Sequence, residues 1–167
     1  MNKWIEALKN DSLAEVKSLQ ANGEDVNDAN ETGESVLAYA IRSHCDFSIL
    51  MFLVESGADI YDFDDEGVSI FDMAITYNNI KMVEFFLEKG IDVNATQRRS
   101  RFTPLMCAAC YGRTEIAKIL LENNADKDAT DSKGITATDF ARKMNKKSIL
   151  KLLDYDENAP KNTALAR

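Results

Sequence analysis

Residues 101–129 read RFTPLMCAACYGRTEIAKILLENNADKDA. The stretch opens on Thr103-Pro104-Leu105, carries the small pair Ala108-Ala109, and closes on Asn123-Asn124-Ala125-Asp126. Thr103 suits a helix N-cap. Pro104 suits the first helical position, where a missing N–H costs nothing. Leu105, Ala108 and Ala109 then line one face. Tyr111-Gly112-Arg113 makes a short turn, and Ile116, Ile119 and Leu120 recur at helical spacing beyond it. Asn124 follows the second helix, where a left-handed residue is wanted to end it. The stretch reads as two short helices joined by a tight turn.

It is also one copy of a repeated unit. Gly67 to Ala95, GVSIFDMAITYNNIKMVEFFLEKGIDVNA, matches it position by position. Ser69-Ile70-Phe71 stands for Thr103-Pro104-Leu105, and Ala74-Ile75 for Ala108-Ala109. A third copy runs from Gly33 to Asp62 and a fourth from Gly134 to Asp154. The N-terminus, Trp4 to Asn27, fits a copy that lacks its opening turn. Starts at Gly33, Gly67, Arg101 and Gly134 are spaced 34, 34 and 33 residues apart. Copy two carries one extra residue around Ser43–Ser48, which predicts a bulged inter-helix turn.

A period of this length marks a stacked array. No single copy can bury its apolar face, so the copies share one elongated core and the end copies are polar outside. Lys3, Glu6, Lys9 and Glu15 mark the first cap; Arg142, Lys143, Lys146, Lys147 and Lys151 mark the last. The expected domain is residues 1–154, in copies near 1–30, 31–64, 65–97, 98–130 and 131–154. Residues 155–167, YDENAPKNTALAR, carry no period and read as a flexible tail.

Turn chemistry and period together resemble the ankyrin repeat. The motif residues are Thr103-Pro104-Leu105, Ala108-Ala109, Leu120-Leu121 and Gly57-Ala58-Asp59. The resemblance covers roughly residues 4–153 and implies an all-α solenoid of about five helix-turn-helix units with degenerate end caps. The family histidine after Thr-Pro-Leu is replaced by Ala38, Asp72, Met106 and Asp139, which implies a looser array. The resemblance also implies a non-catalytic module that binds another protein on a concave surface of turn fingers and first helices.

Charge and composition narrow the partner. The 167-residue chain has a net charge of −8, which argues against phosphate neutralisation and hence against nucleic acid. The charge is uneven: residues 1–94 carry −13 and residues 95–167 carry +5. Such a distribution either orients a charged partner or simply solvates two faces. The N-terminus has no apolar signal region, and no stretch approaches the ~18 apolar residues of a membrane span. Three cysteines, Cys45, Cys107 and Cys110, cannot all pair, and with no signal region reduced thiols in the cytoplasm are expected. A monomer is expected as well.

On the concave surface, Arg42, Tyr77 and Tyr111 fall on outward positions of the first helices, and Phe102 follows a finger. Tyr77, Phe102 and Tyr111, in adjacent copies, are expected to be exposed. They either anchor a partner or pack between neighbouring copies. Asp65 and Glu66 tip an acidic finger, DFDDEG. Arg98, Arg99 and Arg101 make the next finger, QRRSRF, basic and one residue longer than its counterparts. Either the two fingers neutralise each other or the arginines form a fork for an acidic segment of the partner.

No constellation for catalysis is present: there is one histidine, His44, and no phosphate-binding loop or nucleophile elbow. Cys107 and Cys110 form C-x-x-C inside a helix, at a position the repeat keeps apolar, and read as core packing rather than as a redox pair. No metal or other cofactor is expected. A different class of function rests on the likeness to small free-standing ankyrin proteins of bacteria, some of which help a catalase acquire haem. For an accessory protein handling haem or a metal, His44, Tyr39, Tyr61, Tyr77 and Tyr111 would be the available ligands.

Overall fold

The computed structural model describes residues 1–154; the tail expected over 155–167 lies outside the described residues. Ten helices form five antiparallel pairs among the described residues. They are α1 (Asn2–Lys9) with α2 (Leu13–Ala21), α3 (Val36–Arg42) with α4 (Phe47–Glu55), and α5 (Ile70–Thr76) with α6 (Ile80–Glu88). The last two pairs are α7 (Pro104–Tyr111) with α8 (Thr114–Glu122), and α9 (Ala137–Lys143) with α10 (Lys147–Leu152). Odd-numbered helices pack on one another as an inner row and even-numbered helices as an outer row. No helix among the described residues is long and apolar enough to cross a membrane.

The same chemistry starts each inner helix from α3 onward. Ser35, Ser69, Thr103 and Thr136 each accept a hydrogen bond from the backbone N–H three residues on, satisfying one orphan donor. Pro104 occupies the first turn of α7. Left-handed residues end the elements at repeating positions. Asp11, His44, Asn78, Gly112 and Asn145 end the first helices, and Gly23, Gly57, Gly90 and Asn124 the second. Asn124 takes the glycine's role at φ 65°.

Copy two does carry an extra residue in its turn. Three residues separate α5 from α6 (77–79), against four between α3 and α4 (43–46). The additional length turns Cys45 inward, where it is buried and its thiol donates to the Leu8 carbonyl at 3.3 Å. The loop that carries the basic finger is likewise longer: residues 89–103 join α6 to α7, where 56–69 join α4 to α5.

One continuous core runs along the stack, from Trp4 and Leu8 through Leu37, Leu50, Ile75, Phe86, Leu105 and Leu120 to Ile149. The ends are polar outside: Lys3, Glu6, Lys9 and Glu15 are exposed, as are Lys143, Lys147 and Lys151, while Arg142 and Lys146 are half-buried.

Candidate partner-binding surface

The fingers are the loops that precede α3, α5, α7 and α9. Three share one brace. Asn30, Asp64 and Asp131 each accept two backbone N–H groups, two and four residues on, through a single side-chain oxygen. The equivalent residue of the basic finger is Arg98, which cannot accept. Its guanidinium turns inward instead, and Nε donates to Asp72 Oδ2 at 3.2 Å. Arg101 sits in the left-handed conformation (φ 57°) that Gly33, Gly67 and Gly134 take in the other fingers.

Asp72 occupies one of the family-histidine positions. It is 1% exposed and closes a capping box with Ser69. Oδ2 is bonded, but Oδ1 is buried without a partner among the described residues. Burial pushes the Asp72 carboxyl above its ordinary value, and the Arg98 charge offsets only part of that. The sign for stability follows. A carboxyl raised in the folded state contributes fully only below its unfolded value of about 3.9, and the contribution is lost as pH rises through the folded value. Asp72→Asn should therefore gain stability relative to the wild type as pH rises above about 4 in urea titrations. A difference that stays constant would show that the Arg98 charge balances desolvation, and one that reverses that it outweighs it.

The three aromatic residues are not equally exposed. Tyr111, at the end of α7, is 48% exposed. Tyr77 and Phe102 are half-buried, a correction to the expectation that all three stand open. The physical reason is stacking between copies. Tyr77 receives the His44 ring edge-on at 5.9 Å. Phe102 packs edge-to-face on Phe140 at 5.0 Å and lies under the Arg98 guanidinium at 5.2 Å. Each keeps part of its ring in solvent. Burial, with Cys107 and Cys110 close by, raises the Tyr111 phenol.

The charged residues also divide. Arg98 is committed to Asp72 and Phe102. Arg42 is held by Glu34 through two hydrogen bonds, of 2.6 and 3.0 Å, and lies over the Tyr39 ring at 4.7 Å. Neither guanidinium is an open fork, because each has a carboxylate from its own chain within reach. Arg99 and Arg101 are exposed and enter no ion pair among the described residues. Asp65 and Glu66 are exposed on the neighbouring finger. An open cleft of about 620 Å³ separates the two fingers, with Asp64, Asp65 and Glu66 on one wall and Arg98 and Arg99 on the other. Among the described residues, no ion pair crosses it.

Repeat register alone does not reveal the Asp72–Arg98 bond or the Phe140 support. The one signal in the sequence is the histidine position itself, where an acidic residue stands opposite a basic finger. Nor does register reveal Arg113, whose Nε donates to the Thr76 carbonyl at 3.1 Å and ties α8 to the end of α5. Cys107 is fully buried, hydrogen-bonded to Thr76 at 3.3 Å, and its thiol is pushed up to about 12 by burial. His44 is exposed in a turn. No group of three His, Cys, Asp or Glu that could hold a metal occurs among the described residues.

A sequence model described as ankyrin repeats (3 copies) matches residues 4–97 and again 96–163. The chain is 38% identical over 107 residues to the E3 ubiquitin-protein ligase hecd-1 of Caenorhabditis elegans, covering 64% of this chain and 4% of that protein. It is 44% identical over 103 residues to the E3 ubiquitin-protein ligase Ufd4 of Drosophila melanogaster, covering 61% and 4%. With the palmitoyltransferase AKR1 of Lachancea kluyveri it shares 36% identity over 92 residues, 53% of this chain and 12% of that one. The chain thus spans only a small part of the relatives it matches. The repeat period, the helix pairs, the left-handed turn positions and the match over most of its length agree: the chain belongs to the ankyrin-repeat family.

Proposed function

We propose that this chain is a non-catalytic cytoplasmic module that binds a partner protein through its concave face and fingers. Support comes from one observation above all. Tyr111 stands exposed near the part-open ring of Tyr77 at the end of α7, the part-open ring of Phe102 precedes its start, and Arg99 and Arg101 have no ion-pair partner among the described residues. Aromatic anchors with adjacent uncommitted arginines form a hot-spot composition. The arginines steer an acidic segment of the partner, and the rings bury its apolar side chains. A stacked scaffold loses little conformational entropy on binding, which favours affinity. Arg42, Arg98, Asp65 and Glu66 shape the surface, the first two by holding Tyr39 and Phe102 in place.

Affinity capture from the native lysate, followed by calorimetry on the captured protein, tests the reading. The Tyr77→Ala/Phe102→Ala/Tyr111→Ala variant should bind roughly a hundredfold more weakly, about 3 kcal/mol. Because Phe102 supports Phe140, the Tyr77→Ala/Tyr111→Ala variant serves as the folded control and should lose at least about tenfold. Arg99→Ser/Arg101→Ser should mainly slow association and flatten its salt dependence. Unchanged affinity in both aromatic variants would remove the concave patch from the binding site.

A further inference from the structure

The two most exposed large apolar side chains among the described residues are not on the concave helices. They are Tyr61, 63% exposed, and Phe63, 50% exposed, in the loop between α4 and α5. Two residues apart, their Cα atoms lie within ~7 Å.

Tyr61 breaks a pattern that the loops on either side of it keep. Asn27 donates to the Gly57 carbonyl at 3.0 Å and accepts from the Asp59 N–H at 2.8 Å, bracing loop one to loop two. Asn94 makes the same pair of bonds further along, donating to the Asn124 carbonyl at 3.4 Å and accepting from the Asp126 N–H at 2.8 Å. The repeat places Tyr61 at the corresponding position between them, where its side chain cannot make the brace toward Gly90 and Asp92. A stabilising contact is absent and an aromatic ring stands in water instead. Local rules broken in this way concentrate at functional sites.

The surroundings name the occupant's charge. No Lys or Arg occurs between Arg42 and Lys81. Asp59, Asp62, Asp64, Asp65 and Glu66 surround the two rings in sequence, and none of them is in an ion pair among the described residues. Lys81 is drawn off over the Phe47 ring at 5.3 Å, and Arg98 is committed to Asp72. We infer that the Tyr61–Phe63 edge docks an Arg-bearing basic segment of a partner protein, its guanidinium groups stacked on the two rings and neutralised by the carboxylates beside them. Arginine suits both halves of this surface, because its planar head stacks on rings and bonds carboxylates. Phe63 lines the cleft whose other wall carries Arg98 and Arg99, so the segment runs from Phe63 toward Tyr61 along the acidic wall. This surface shares the acidic finger, Asp65 and Glu66, with the concave surface but uses none of its aromatic anchors Tyr77, Phe102 and Tyr111.

The test uses a fluorescein-labelled peptide of about twelve residues, alternating Arg and Ser, with a Glu-Ser peptide as control, in anisotropy titrations at about 50 and about 150 mM NaCl. The wild type should bind the Arg-Ser peptide and not the control. Tyr61→Asn/Phe63→Ser, which keeps every carboxylate, should weaken binding at least about tenfold, while Tyr77→Ala/Tyr111→Ala should leave it unchanged. The asparagine restores the loop brace, so Tyr61→Asn alone should raise Tm, and this separates lost binding from lost folding. Equal binding by wild type and Tyr61→Asn/Phe63→Ser would reduce the effect to diffuse charge and overturn the inference. Loss in Tyr77→Ala/Tyr111→Ala alone, or no binding by the wild type at either salt, would overturn it as well.

Discussion

Replacing Gly67 with alanine will destabilise the protein by about 3–4 kcal/mol, the sum of a left-handed backbone penalty and an overlap that must be relieved. Gly67 has φ +77°, and a Cβ built there would lie 2.6 Å from the Gln97 carbonyl oxygen and 2.7 Å from its carbon. Those atoms are backbone of the next finger, so relief requires moving one finger against another. Gly23 is the control. Its φ of +80° is as unfavourable for alanine, but nothing lies within 4 Å of its added Cβ. Gly23→Ala should cost only about 1 kcal/mol. Arg101 presents the reciprocal case, a side chain already in the left-handed region at φ 57°. Arg101→Gly should stabilise by about 1 kcal/mol. Urea unfolding followed by circular dichroism reads all three. Equal losses for Gly67→Ala and Gly23→Ala would mean that the fingers are not in close backbone contact.

Phe86→Ala should cost about 3–5 kcal/mol, a large share of the roughly 5–15 kcal/mol available to a folded protein. Phe86 is fully buried in α6, edge-on to Phe71 at 6.3 Å and to Phe85 at 5.8 Å. Its position in the middle copy matters as much as its size. In a stacked array each copy is stabilised by its neighbours on both sides, so a cavity in the centre weakens the coupling between the two halves. Unfolding of Phe86→Ala should broaden or split into two transitions. Ile149 is equally buried but lies in α10, at the end of the stack. Ile149→Ala should cost about 2 kcal/mol and fray the end while the rest unfolds as before. A loss below about 2 kcal/mol for Phe86→Ala, or identical unfolding curves for the two variants, would contradict the central role of copy three.

Part of the candidate surface is legible in the sequence. Tyr111 lies where the repeat register places it, exposed at the end of a first helix, and Arg99 and Arg101 stand open on a finger. Tyr77 and Phe102, expected at the same level, are half-buried instead, because His44 and Phe140 come from the copies on either side. Register tells which way a side chain leaves its helix. It does not tell what the next copy places in front of it.

The same division runs through the whole molecule. Residues acting on their own backbone were decided by the sequence alone: the caps Ser35, Ser69, Thr103 and Thr136, the proline that opens α7, and the glycine and asparagine positions that end the outer helices. These preferences operate within one turn, and repetition at a fixed spacing makes them additive evidence for one architecture. Tertiary structure decided the partnerships across copies. Arg98 finds Asp72 from 26 residues away, Asn27 and Asn94 brace successive loops, and Tyr61 is left in solvent without a brace. Each depends on which groups are desolvated when the copies stack. Desolvation is a property of the assembled surface, not of any residue in its own turn.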